Sequence, residues 1–188
     1  VLVSETGDAI AVLLGNGAGG FAAQPSVAVP GNPVDLQLAD LDGDGVAELV
    51  IADSANVRIL ASKYPGLAQP FLWTPSALYE VPINLALGDL NGDGQPDIVA
   101  SGANAGNGSV VLGKVGLGFR PPSYFPSLFG GGPIWMELGD FNGDGKLDAV
   151  STEDDGIDAD LVIWQGNGDG TFGSVLWYTL TGNYRGEN

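Results

Sequence analysis

Three copies of one acidic motif constrain this chain more than any other feature. Leu38-Ala39-Asp40-Leu41-Asp42-Gly43-Asp44-Gly45, Leu87-Gly88-Asp89-Leu90-Asn91-Gly92-Asp93-Gly94 and Leu138-Gly139-Asp140-Phe141-Asn142-Gly143-Asp144-Gly145 match position for position. Their first aspartates lie 49 and 51 residues apart (89 − 40 and 140 − 89). A period of about 50 residues marks a propeller, solenoid or array, whose units cannot bury their apolar faces alone. Each motif is followed by an acid and a short apolar run, Glu48-Leu49-Val50-Ile51, Asp97-Ile98-Val99-Ala100 and Asp148-Ala149-Val150, and then by a second run at 57–61, 109–113 and 160–164.

The first 30 residues carry the rear half of the same unit. Val1-Leu2-Val3-Ser4 aligns with Ile98-Val99-Ala100-Ser101, and Leu14-Gly15-Asn16-Gly17-Ala18-Gly19-Gly20-Phe21 aligns with Gln165-Gly166-Asn167-Gly168-Asp169-Gly170-Thr171-Phe172. The expected organisation is the rear part of one blade (1–30) and three whole blades (31–81, 82–132 and 133–188), a piece of something longer that starts in mid-unit. Apolar runs of 4 to 7 residues, rich in Val, Ile and Leu and separated by Gly, Asn, Asp and Pro, read as strands. The stretch 46–64 has neither Gly nor Pro and suits a helix by composition, but Gly102, Gly106, Gly108 and Gly156 break its counterparts. It is predicted as strand, turn, strand. Each unit then holds one strand before the acidic loop (34–39, 85–88, 135–139), one after it, a third, and a ragged fourth such as 174–180. The expected fold class is all-β, with propeller blades of four antiparallel strands.

Charge and composition narrow the function. Acids outnumber bases 23 to 6, and the formal charge of −17 repels phosphate backbones and anionic headgroups. Nucleic acid and membrane insertion are therefore not expected. The absence of His and Cys removes the usual general base, thiol nucleophiles and thiolate or imidazole metal sites. No catalytic constellation emerges, and the expectation is a protein that is not an enzyme.

Each loop reads Asp-x-(Asp/Asn)-x-Asp-Gly-x-x-(Asp/Glu), with side-chain oxygens at positions 1, 3, 5 and 9 and a backbone carbonyl at 7. Alternate oxygens wrapped around one point suit a hard cation, and glycine at 6 permits the bend. The expected ligand sets are Asp40, Asp42, Asp44, Val46 (carbonyl) and Glu48; Asp89, Asn91, Asp93, Gln95 (carbonyl) and Asp97; and Asp140, Asn142, Asp144, Lys146 (carbonyl) and Asp148. Five protein ligands plus water fall within the range of about 6 to 8 that calcium takes, and magnesium keeps fewer protein ligands. About three calcium ions per chain are expected, with a structural role, because crowded aspartates repel one another until a cation neutralises them. An EF-hand would need a bidentate Glu at position 12, where Ile51, Ala100 and Ser151 stand.

The run from the Asp-x-Asn-Gly-Asp-Gly loops through the apolar strand to Leu-Gly-Asn-Gly-x-Gly-x-Phe resembles the FG-GAP or VCBS repeat of integrin-alpha-type β-propellers. The resemblance implies a ring of blades with calcium in the hairpin between the first two strands of a blade. The second repeat departs, with Val111-Leu112-Gly113-Lys114-Val115-Gly116 where Gly-Asn-Gly is expected. Three loops are too few for a common closed ring, so further residues or partner subunits are expected to complete it.

The expected function is a calcium-stabilised extracellular or cell-surface module for binding or adhesion, recognising glycan or protein through its surface loops. The alternatives are a structural subunit of an extracellular assembly, self-associating through open blade edges, and an accessory domain of a polysaccharide-degrading enzyme. Glu153-Asp154-Asp155-Gly156-Ile157-Asp158-Ala159-Asp160 is expected to be a solvated hairpin tip, with a further cation site as the alternative although its spacing does not match the loops, and Asn107-Gly108-Ser109 is a glycosylation sequon on a predicted turn. Trp73, Tyr79, Tyr124, Trp135, Trp177 and Tyr178 are expected mostly to pack between blades, with sugar stacking as the alternative. Phe21 and Phe172, at matching positions, are expected to pack as well.

Overall fold

The computed structural model describes residues 2–3, 9–11, 13–29, 31–53, 57–60, 82–102, 107–116, 118–127, 133–154 and 159–179. Among them every regular element is a strand. Strands β1 (Leu2–Val3), β2 (Ala9–Ala11) and β5 (Val27–Ala28) form a three-stranded sheet in the order β1-β2-β5, and β3 (Leu13–Gly15) pairs with β4 (Phe21–Ala23) as a hairpin. The second sheet comprises β6 (Pro33–Ala39), β7 (Glu48–Asp53) and β8 (Val57–Leu60) in chain order. In the third sheet, β9 (Pro82–Gly88), β10 (Asp97–Gly102) and β11 (Asn107–Val111) are followed by a small hairpin, β12 (Gly113–Lys114) and β13 (Gly118–Phe119), before β14 (Ser123–Pro126) closes the order β9-β10-β11-β14. The fourth sheet runs β15 (Pro133–Gly139), β16 (Asp148–Asp154), β17 (Ala159–Gly166) and β18 (Phe172–Thr179). All pairings are antiparallel.

The described residues of the stretch 46–64 form strands rather than a helix, with β7 and β8 paired from Leu49↔Leu60 to Ala52↔Val57; 54–56 and 61–64 lie outside the described residues. The first strand of the second, third and fourth sheets begins earlier than its apolar pattern indicates, on Pro33, Pro82 and Pro133. Each proline pairs across a register shift that skips one residue, opposite Asp53, Gly102 and Glu153. A bulge at a strand start accommodates a residue without an N–H. The ragged fourth strand expected at 174–180 is instead a continuous strand of eight residues, Phe172–Thr179, whose pairing with β17 shifts register once, between Trp164 and Gly166.

The sheets stack face to face, and their period-2 patterns supply the seams. Ile10 and Val29 meet Leu49 and Ile51. On the opposite face of β7, Val50 and Ala52 join Val57, Leu85, Ile98, Ala100 and Val111. Val99, Val110 and Phe125 then meet Met136, Ala149, Val162 and Trp164. Each fully buried Val, Leu, Ile or Met side chain among them contributes roughly 1.5–3 kcal/mol before conformational entropy is counted.

A polar relay links the first strands across these seams. Asp35 Oδ2 accepts the Leu85 N–H at 2.7 Å and the Asn84 side-chain N–H at 3.1 Å, and Asn84 Oδ1 accepts the Met136 N–H at 2.8 Å. Gln37 Nε2 adds a bond to the Leu85 carbonyl at 3.2 Å. Asp35 and Asn84 each stand five residues before a loop's first aspartate; Trp135, at the same place in the fourth sheet, is exposed.

The aromatic expectation needs correction. Phe172 packs, edge-on to Phe125 with centroids 5.0 Å apart, and Trp164, not singled out from sequence, is buried at 5.4 Å from the same ring. Phe21, however, is 71% exposed, and Tyr124, Trp135, Trp177 and Tyr178 are also exposed. Phe21 lies on a short hairpin whose strand β4 is exposed throughout, with no apolar layer described over it. Trp73 and Tyr79 lie outside the described residues.

Candidate metal centre

Each acidic loop joins the first strand of its sheet to the second, at 40–47, 89–96 and 140–147. The aspartate at position 1 shapes the turn by accepting backbone N–H groups. Asp40 Oδ1 accepts those of Gly43 and Asp44 at 2.8 and 3.1 Å, and Oδ2 accepts that of Gly45 at 2.8 Å. Asp89 repeats the pattern with Gly92, Asp93 and Gly94, and Asp140 with Gly143, Asp144 and Gly145. Asp42, Asn91 and Asn142 accept the N–H of position 5. Asp44, Asp93 and Asp144 in turn accept the N–H of Val46, Gln95 and Lys146 at 2.9 Å.

This winding forces the backbone into the left-handed region twice. Gly43, Gly92 and Gly143 at position 4 and Gly45, Gly94 and Gly145 at position 6 all have φ between 73° and 86°. The sequence reading assigned a conformational need to position 6 only. Position 4 is glycine in all three copies, which is the signal that could have found it.

Position 9 has a second task that spacing did not reveal. Glu48, Asp97 and Asp148 are buried, and each accepts the N–H of its loop's position 2: Leu41 at 2.7 Å, Leu90 at 2.8 Å and Phe141 at 3.1 Å. In the third and fourth sheets the other oxygen reaches the hairpin that follows: Asp97 Oδ1 accepts the N–H of Gly113, which opens β12, at 2.8 Å, and Asp148 Oδ1 that of Gly166, which closes β17, at 2.9 Å. One carboxylate thus ties the loop's start, its end and the next hairpin together. The second repeat, which lacks Gly-Asn-Gly, still builds this hairpin because Gly113 and Phe119 keep the spacing of Gly166 and Phe172.

The donor set suits a hard cation. One oxygen from each of Asp40, Asp42 and Glu48 lies within 4.8 Å of the others, the sole such group of three His, Cys, Asp or Glu side chains among the described residues. The other two loops carry Asn91 and Asn142 at position 3, so an amide oxygen replaces one carboxylate. Lys146 extends away along the neighbouring turn, its side-chain carbons 3.2–3.3 Å from where a Cβ on Gly168 would stand. There the hydroxyl and N–H of Thr171, helped by the Lys146 charge, hold the Asp169 carboxyl below its ordinary range.

The electrostatics differ along each loop. N–H donors, that of Gly145 foremost, hold the exposed Asp140 carboxyl below its ordinary value. Burial raises Glu48, with Asp42, Asp40 and Asp44 adding repulsion against the Leu41 N–H. Burial also pushes Asp97 up to about 6, over the opposing N–H groups of Gly113 and Leu90 and with repulsion from Asp93 and Asp89. A raised acid binds its proton more tightly folded than unfolded. The stability it gives is fully present below the unfolded value near 4 and is lost as pH rises through about 6. In chelator, the Asp97 carboxyl should therefore titrate near pH 6 by carbon NMR; a midpoint near 4 would contradict the buried geometry.

The model of the FG-GAP-like repeat matches residues 1–51, 43–100 and 89–151. The chain belongs to the FG-GAP-like repeat family. Successive FG-GAP matches overlap within 43–51 and 89–100, the acidic loops and the strands that leave them. No curated protein matches the chain. Among solved structures, one described as the basis of specific recognition of non-reducing terminal N-acetylglucosamine by an Agrocybe aegerita lectin superposes with a TM-score of 0.60 at 22% identity. The match covers 92% of this chain and 47% of that one, so the FG-GAP chain spans about half of the lectin's length. With the stacked antiparallel sheets, two of them four-stranded among the described residues, this likeness establishes the fold as β-propeller blades.

Proposed function

We propose that the chain is a calcium-stabilised module for binding or adhesion, outside the cell or at its surface, recognising a glycan or a protein through propeller loops without catalysis. The observation that carries the calcium reading is the convergence of Asp40, Asp42 and Glu48 oxygens within 4.8 Å on a turn already wound by Asp40. Asp89, Asn91, Asp93 and Asp97, and Asp140, Asn142, Asp144 and Asp148, repeat the donor types, with the carbonyls of Val46, Gln95 and Lys146 completing the three sets. Bound calcium would supply charge neutralisation, three ions moving the formal charge from −17 to −11 (−17 + 6). Extracellular calcium modules work at about 0.1–1 mM, which suits a secreted or surface protein. Likeness in fold to a lectin supports glycan as the first ligand class to test. Self-association is the second reading, favoured by the exposed Trp135, Leu176, Trp177 and Tyr178 on the fourth sheet.

Calorimetry and thermal melts test the calcium reading. Replacing Asp40, Asp89 and Asp140 together by asparagine should remove three bound ions per chain, and chelation should lower the wild-type melting temperature by about 10 °C or more. No difference in ions bound, with a melt indifferent to chelator, would sink it. A glycan array in calcium then tests the ligand, and sedimentation velocity tests self-association.

A further inference from the structure

The acidic run 153–160 is expected from composition to be a solvated tip, but its two ends are not solvated. Glu153 and Asp160 are directly paired across β16 and β17 and are only 1% and 2% exposed. Such opposed side chains stand about 4.5–5.5 Å apart at Cβ. Ser151, two residues back along β16 and therefore on the same face, is buried too. This face looks into the seam with the third sheet, because Ser127, just after β14, donates its hydroxyl to Glu153 Oε2 at 2.8 Å. The tip itself, 155–158, lies outside the described residues.

Among the buried polar atoms of this patch, Asp160 Oδ1 and Ser151 Oγ lack a hydrogen-bond partner. A buried carboxylate oxygen and a buried hydroxyl, both unsatisfied beside a second carboxylate, form an arrangement that folding alone disfavours. The propeller does not require acids there. The position 13 residues after the first loop aspartate is Asp53, Gly102 or Glu153 in the three repeats, and the glycine serves the third sheet. The available donors are all oxygens, which excludes a preference for soft or imidazole-seeking metals.

We propose that Glu153 and Asp160, with Ser151 Oγ and the Ser127 hydroxyl, hold one hard cation in the seam between the third and fourth sheets. The site is separate from the acidic loops. Asp148 opens β16 and Glu153 follows five residues later, roughly 17 Å along an extended strand. The cation neutralises the opposed carboxylates and clamps the tail of one blade to the next.

Equilibrium dialysis of the whole chain against calcium tests the site. Asp160→Asn should bind one ion fewer than wild type. The loop variant Asp40→Asn/Asp89→Asn/Asp140→Asn should keep one ion, which disappears when Asp160→Asn is added. Unchanged stoichiometry in Asp160→Asn overturns the site. If the loops do not bind calcium, wild type and loop variant bind the same single ion, so the two failures are distinguishable. Circular dichroism checks the fold, and Glu153→Gln replaces Asp160→Asn if that variant does not fold. As a second readout, Asp160→Asn should melt higher than wild type in chelator and gain less from calcium. Equal gains in both proteins would also overturn the proposal.

Discussion

Replacing Asp97 by alanine should lower the melting temperature by roughly 5–20 °C even with calcium chelated. Its two oxygens accept two buried N–H groups, of Leu90 and Gly113, and alanine leaves both without a partner. An unsatisfied buried donor costs about 1–3 kcal/mol, so the pair costs about 2–6 kcal/mol, and a chain of this size loses about 2–4 °C per kcal/mol. Asp97→Asn should recover only part of the loss, because an amide offers one acceptor oxygen and turns an N–H₂ toward the other donor. Asp144→Ala is the control. Asp144 also accepts two N–H groups of its loop, the Lys146 backbone N–H and the Asn142 side-chain N–H, but at an exposed site where water can replace it. Melts in chelator decide the matter: if Asp97→Ala is no less stable than Asp144→Ala, position 9 is only a ligand and not a structural tie.

The difference between those two aspartates shows what the sequence can and cannot transmit. The period, the loops and the strands were legible because each is a local pattern: alternating oxygens, a glycine at a bend, a short apolar run. The partner of Asp97 was not legible, since Gly113 lies 16 residues away and only the pairing of β10 with β11 brings it close. Asp35 and Asn84 were hidden for a related reason. Acid, amide and indole occupy one register position in the three repeats, so no motif marks the relay that crosses the seams. Composition misled at Glu153 and Asp160, where an acidic run reads as solvated and yet its ends turn into a seam. Aromatic side chains gave the weakest signal, because one ring type serves both the core and the surface. Trp164 is buried and Trp135 exposed, and register alone separates them.

Gly166→Ala should be the most damaging single methyl addition in the fourth sheet, at about 3–5 kcal/mol. A Cβ there would stand 2.0 Å from the Leu147 carbonyl oxygen and 2.9 Å from its carbon, and both are backbone atoms leading into β16. Relief requires moving Gly166 by about an ångström, which breaks its N–H bond to Asp148 and shifts β17 against β18 where the register is already irregular. Gly143→Ala meets no atom within 4 Å and suffers only its positive φ, a cost of about 1–2 kcal/mol. The sharper test is Gly113→Ala, in the repeat that lost Gly-Asn-Gly. Its Cβ would lie 2.3 Å from the Pro96 carbonyl oxygen, and its N–H is held by Asp97 as that of Gly166 is held by Asp148. Urea unfolding should therefore rank Gly113→Ala beside Gly166→Ala and well below Gly143→Ala in stability. If Gly113→Ala is tolerated, the close glycine contact is not what holds this hairpin. If it is not, the contact between Gly113 and the end of the acidic loop is the feature this repeat cannot lose, and the Gly-Asn-Gly motif is dispensable to it.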